Sequence, residues 1–213
     1  MPKSTETIDL VIGTTNRAKG RELTELLQPF GFDIQTLQDV ADPIDVVEDG
    51  DTFAANAQKK ARELAQHLHR WVLADDSGLE VNALDGAPGI YSARYANIDV
   101  SEQSDNQNNA KLISDLADTT GDRRGANYHC HVAVADPSGA IRAESSGICR
   151  GRIRTKAAGS NGFGYDPLFE VLEYHRTFGE LGPRVKAALS HRARAMRAIV
   201  PQLAALADSG AWR

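Results

Sequence analysis

Three short apolar runs alternate with longer stretches of helical periodicity over the first 75 residues, and that rhythm most limits the fold. IDLVIGT (8–14) reads as a buried strand, followed by a helix over about 17–28 that Pro29 stops. FDIQTL (32–37) alternates as a second strand. DTFAANAQKKARELAQHL (51–68) is helical, with Phe53, Ala57, Ala61, Leu64 and Leu68 on one stripe. WVLA (71–74) is a third strand, read as ending in a turn at Asp75 and Asp76. Strands separated by helices pair in parallel, because a crossover helix returns the chain to the same end of the sheet. Further on, a polar helix is expected over 101–117. Two strands flank the Pro137-Ser138-Gly139 turn, and a helical stretch over about 184–207 is expected to break near Pro201. Alternating elements followed by a hairpin specify an α/β fold with a mixed sheet.

The 213 residues fit one domain. We divide them into a flexible N-terminus (1–7), a domain over 8–207 and a C-terminal tail (208–213). No apolar segment approaches the roughly 18 residues that span a bilayer, and no signal peptide is read, so no membrane partner is expected. Cys130 and Cys149 read as reduced, buried thiols, which points to the cytoplasm. A net charge of −5 argues against a nucleic-acid polymer as partner, since a phosphate backbone needs a basic face. It leaves a single nucleotide open, where clustered cations and a metal oppose the phosphates.

Five segments could carry chemistry. GTTNRAKGRE (13–22) places small polar residues at a helix N-terminus, where free N–H groups and the helix dipole favour an anion. The simpler alternative is Asn16 as an N-cap beside a solvated Lys19. Lys60 lies on the apolar stripe of its helix and either snorkels or faces a cleft, whereas Lys59 belongs to the solvated face and Glu48 to an acidic turn. Asp75-Asp76-Ser77-Gly78 puts two carboxylates beside a buried strand, a costly arrangement unless a cation lies near; Mg²⁺ is one solution and an Asx-turn another. AAGSNGFGYDPLFE (157–170) offers a glycine-rich loop with Phe163 and Tyr165 as flat faces for a base. In KAALSHRARAM (186–196), Lys186, His191 and Arg192 are three donors able to read a carbonyl oxygen, or else a basic helix end. His129 and His131 alternate on one strand face, with no third ligand at zinc spacing.

Together TTNRAKGREL, EDGDTF with NAQKKA, LADDSGLEVNALDGAPGIYSARYA, GFGYDPLF and KAALSHRARA resemble, in order, the inosine triphosphate pyrophosphatase family of noncanonical purine nucleoside triphosphate pyrophosphatases. The resemblance spans residues 14 to about 195. It implies two α/β lobes around a long mixed sheet with flanking helices and a nucleotide cleft between the lobes. It also implies Mg²⁺-dependent hydrolysis of ITP, dITP and XTP to monophosphate and pyrophosphate, in a homodimer.

Carried over by position, Thr14, Thr15, Asn16, Arg17, Ala18 and Lys19, with Lys60, would hold the phosphates. Glu48 and Asp76 would bind the metal, Asp76 would take the proton from water, and Asp75 would position it. Ser77 would touch substrate. Phe163, Gly164, Tyr165 and Asp166, then Lys186, His191 and Arg192, would line the base and sugar pocket. One departure stands out: Ala55 occupies the place of a glutamate common in the family. A rival reading is therefore a nucleotide-binding regulator with reduced or lost catalysis; a second is a general nucleotide or dimetal phosphatase releasing orthophosphate.

Overall fold

The structure, a computed structural model, describes residues 8–96 and 104–212. Among them a seven-stranded mixed sheet has the order β2-β1-β3-β4-β5-β6-β7. The strands are β1 (Ile8–Ile12), β2 (Phe32–Thr36), β3 (Val72–Val81), β4 (Gly125–Ala135), β5 (Ile141–Ile153), β6 (Phe169–Val171) and β7 (Arg176–Thr177). The helices are α1 (Arg17–Leu27), α2 (Phe53–Leu68), α3 (Asp105–Asp115), α4 (Pro183–Leu189) and α5 (His191–Asp208). β1 pairs in parallel with both β2 and β3, as the crossovers require. β6 is antiparallel to β5 and to β7. The Pro137-Ser138-Gly139 turn joins β4 to β5, closed by Asp136 N–H donating to the Ala140 carbonyl.

The chain forms two compact units. The first comprises Met1–Asp76, His131–Ser146 and Ala195–Arg213; the second comprises Ser77–Cys130 and Gly147–Arg194. The core of the first joins Val11, Val72 and Ala74 on the strands to Ala57, Ala61 and Leu64 of α2. Close approach here requires Gly13: a Cβ at that position would lie 2.8 Å from Leu64 and 2.9 Å from Val72. The core of the second gathers Leu79, Val81, Leu112, Tyr128, Phe169 and Phe178.

Three expectations are corrected. β3 does not end at the aspartates; it runs on to Val81 with Leu79 and Val81 buried. A pair of carboxylates reads as a turn only while partners for it are unknown. The C-terminal helical stretch breaks at Ser190, between α4 and α5, and Pro201 lies inside α5. Buried Ile199 and Leu203 anchor the helix on either side of that proline, which offsets the one backbone bond it removes. The polar helix, described over Asp105–Asp115, ends at Asp115 and not at 117. Residues 101–103, like the expected flexible segment 1–7, lie outside the described residues. Among the described residues no helix is long and apolar enough to cross a membrane.

Candidate active site

In the first unit, β1 delivers the chain to the start of α1. Asn16 caps that helix, its side-chain oxygen accepting from Ala18 N–H (2.9 Å) and Lys19 N–H (3.1 Å). Thr14 is buried and its hydroxyl accepts from Asn16 N–H, whereas Thr15 and Arg17 are exposed and Ala18 is half-buried. Lys19, in the first turn, directs its ammonium 3.9 Å from Asp75 Oδ2. Asn16 is therefore the cap, but Lys19 turns toward the carboxylates and is not the solvated lysine of the simpler reading.

Lys60 is buried on α2 and donates to Glu48 Oε1 at 2.8 Å. Lys59, as expected of the other face, pairs with Asp49 near the surface. Burial alone would lower the Lys60 pKa. The negative fields of Asp75, Glu48 and Asp76, with the bond to Glu48, outweigh it and hold the pKa above the usual lysine value. At Asp76 burial dominates and raises the carboxyl, the charge of Glu48 adds to it, and Lys60, Lys19 and the Asn56 amide pull the other way. Three carboxylates and two ammonium groups thus share one electrostatic neighbourhood.

Asn56, which the motif reading passed over, ties this neighbourhood together. It is buried in the first turn of α2, where its Oδ1 accepts from Gly50 N–H at 2.8 Å and its Nδ2 donates to Asp76 Oδ2 at 3.0 Å. One amide links the acidic turn that carries Glu48 to the aspartate on β3. The signal was present in the sequence: Asn56 lies three residues after Phe53 and four before Lys60, a polar residue on a buried stripe. Ala55 beside it is exposed, its N–H capped by Thr52.

Glu48, Asp75 and Asp76 offer only oxygen donors, the hard set that suits Mg²⁺ rather than a thiophilic metal. Among the described residues no three such groups close into a cage. That does not disqualify the ion, since Mg²⁺ is commonly held by one or two carboxylates completed by phosphate oxygens and water. The mutual repulsion of Glu48 and Asp76 is the cost a cation between them would remove. The donor set fits Mg²⁺.

In the second unit, Arg192 is fully buried and donates from Nη2 to Ser77 Oγ at 3.0 Å. Asp166 Oδ2 accepts from buried Lys186 Nζ at 2.7 Å and from Phe163 N–H at 3.0 Å. The Lys186 ammonium lies 4.4 Å from the centre of the Phe163 ring, and the Arg192 guanidinium 5.8 Å from it. Gly162, at φ +77°, is what admits Asp166: a Cβ there would sit 1.9 Å from Asp166 Oδ2. Gly164 donates its N–H to Asp105 Oδ2 at 2.7 Å. Tyr165 turns into the core, its hydroxyl donating to the Ser92 carbonyl at 2.8 Å, so it packs where a base-stacking face was expected. His191 stacks on Tyr128, with ring centres 4.6 Å apart and planes 11° from parallel. His129 and His131 pair instead with Glu80 (2.9 Å) and Glu144 (3.2 Å).

The profile of the Ham1 family matches residues 10–202. The chain belongs to the Ham1 family. It is 55% identical over 201 residues to the dITP/XTP pyrophosphatase of Rhodopirellula baltica, an alignment covering 94% of this chain and 95% of that one. It is 46% identical over 188 residues to the dITP/XTP pyrophosphatase of Desulforamulus reducens, covering 88% and 92%. The solved structure of a HAM1 protein from Coxiella burnetii superposes with a TM-score of 0.82 at 34% identity, covering 93% of this chain and 99% of that one. The α/β fold and the kinship read from the motifs are both upheld.

Proposed function

We infer that this Ham1-family chain is a Mg²⁺-dependent nucleoside-triphosphate pyrophosphatase that hydrolyses ITP, dITP and XTP to monophosphate and pyrophosphate, clearing noncanonical purines from the nucleotide pool. Relatives named for that activity over nearly the whole chain support the reading. The observation that carries it is the gathering of Glu48, Asp75 and Asp76 with Lys19 and Lys60 beside the α1 N-terminus.

Glu48 and Asp76 would hold Mg²⁺, which when bound supplies positive charge to the triphosphate and acidity to the attacking water. Asp76 accepts the proton as water attacks the α-phosphorus in line. The bond from that phosphorus to the bridging oxygen breaks, and pyrophosphate leaves with the electron pair. Lys19 and Lys60, with the positive end of the α1 dipole, oppose the charge that grows on the leaving group. Thr14, Thr15, Asn16, Arg17 and Ala18 form the turn at that end of the helix and would lie along the phosphates.

His191, Arg192 and Lys186 serve the base and sugar with Phe163, Gly164 and Asp166, and Ser77 orients the Arg192 fork. Donors aimed at a 6-oxo group reject adenine, whose own amino donor would leave them unpaired. A cytoplasmic homodimer is part of the same proposal, the dimer resting on the family resemblance and the compartment on the two reduced thiols. Incubation with Mg²⁺ and ITP, dITP, XTP, ATP or GTP, followed by identification of the phosphate product, tests the whole. Pyrophosphate from the first three supports it. Orthophosphate would make the chain a general phosphatase, and tight binding without turnover would make it a regulator.

A further inference from the structure

We propose that Tyr128 is a positioning residue that sets the purine selectivity of the base site; the proposal rests on the assignment of His191 to that site. Tyr128 is buried at an inward position of β4. On one side its ring meets the core aromatics Phe169 (4.6 Å between centres, 45°) and Phe178 (6.4 Å). It also lies nearly parallel to the His191 imidazole. Its hydroxyl donates to Asp166 Oδ1 at 3.4 Å, while the other oxygen of that carboxylate takes Lys186 and the Phe163 N–H.

Tyr128 is thus in contact with His191 directly and with Lys186 and Phe163 through Asp166. The hydroxyl contact is at the long limit of a hydrogen bond, whereas the ring contact is close and flat, so the ring carries the larger share. Its effect is on direction. An imidazole at the start of α5 turns about its side-chain bonds, and a donor that turns no longer distinguishes a 6-oxo acceptor from a 6-amino donor. Pinned against a ring that is itself wedged into Phe169 and Phe178, it cannot.

The test measures kcat and KM for ITP and ATP in Tyr128→Phe, Tyr128→Leu and Tyr128→Met, the last chosen because methionine fills irregular core space. A ratio of kcat/KM values is unaffected by the fraction of folded enzyme, so instability alone leaves it unchanged. Leu and Met are expected to lower the ITP-over-ATP ratio on the order of tenfold, chiefly through KM for ITP. Phe, which keeps the stack, is expected to hold the ratio within about twofold while lowering both activities slightly. A wild-type ratio in folded Leu or Met enzyme overturns the proposal, and so does a collapsed ratio in the Phe enzyme, which decides the matter if neither other variant folds. Should wild type itself show no preference for ITP, the base-site reading fails, and that outcome is visible before any variant is made.

Discussion

Replacing Asn56 by alanine removes two hydrogen bonds at once. The bond to Asp76 is charge-assisted and buried, and its loss costs about 2 kcal/mol. The Gly50 N–H, partly buried, loses its acceptor at about 1 kcal/mol. Asn56→Ala is therefore expected to destabilise the fold by roughly 3 kcal/mol, read as a lowered urea midpoint with unchanged slope. Turnover should fall on the order of tenfold or more even where the protein is folded, because Asp76 and the Glu48 turn lose their common tether. Asn56→Leu separates this account from packing, as it restores the volume and neither bond. Leucine should be as damaging as alanine. If leucine restored stability, or if alanine cost less than about 1 kcal/mol with normal turnover, the tether would not be what holds this site.

Asp76→Asn should cut pyrophosphate release on the order of 10²-fold. It should also preserve or raise the melting temperature at pH 7 in metal-free buffer. The Asp76 pKa is raised in the folded state, so its contribution favours folding below about pH 4 and is lost as pH climbs through the folded value. A lower melting temperature for the asparagine variant at pH 7, or an advantage that grows in acid, would contradict that sign. Lys60→Met leaves Glu48, Asp75 and Asp76 facing one another with one cation fewer, so stability should fall and recover partly as Mg²⁺ is added, followed by thermal melts across a metal titration. Arg192→Lys loses the planar fork that reaches Ser77, and ITP-over-ATP selectivity should drop about tenfold in steady-state kinetics. Burial pushes the Cys149 thiol up to about 11. At pH 8 the native protein should therefore react with an alkylating reagent at least about a hundredfold more slowly than the urea-unfolded chain, a difference mass spectrometry would resolve.

Periodicity was enough to define the parallel β1–β3 region, α1, α2 and the β4–β5 turn, because each depends on residues close in sequence: an apolar run, an Asn cap, a stripe at helical spacing, a Pro-Ser-Gly turn. The inward direction of Lys60 was legible for the same reason, since a helix fixes which side chains share a face. The fate of Asp75 and Asp76 was not. Local reading gives paired carboxylates a turn, and only Lys19, Lys60 and Asn56, brought in from other elements, let β3 continue through them. Pro201 and Ser190 show the same division, with packing at Ile199 and Leu203 overriding a local helix breaker. Tyr165, read as a flat face for a base, turned into the core instead, because the facing of an aromatic ring depends on what the rest of the chain has left room for. Sequence determined the elements that rest on local pattern, β1 to β5 and the helices α1 and α2; the tertiary structure alone decided which charges face each other, since the energy of a buried charge resides in partners that lie far away along the chain.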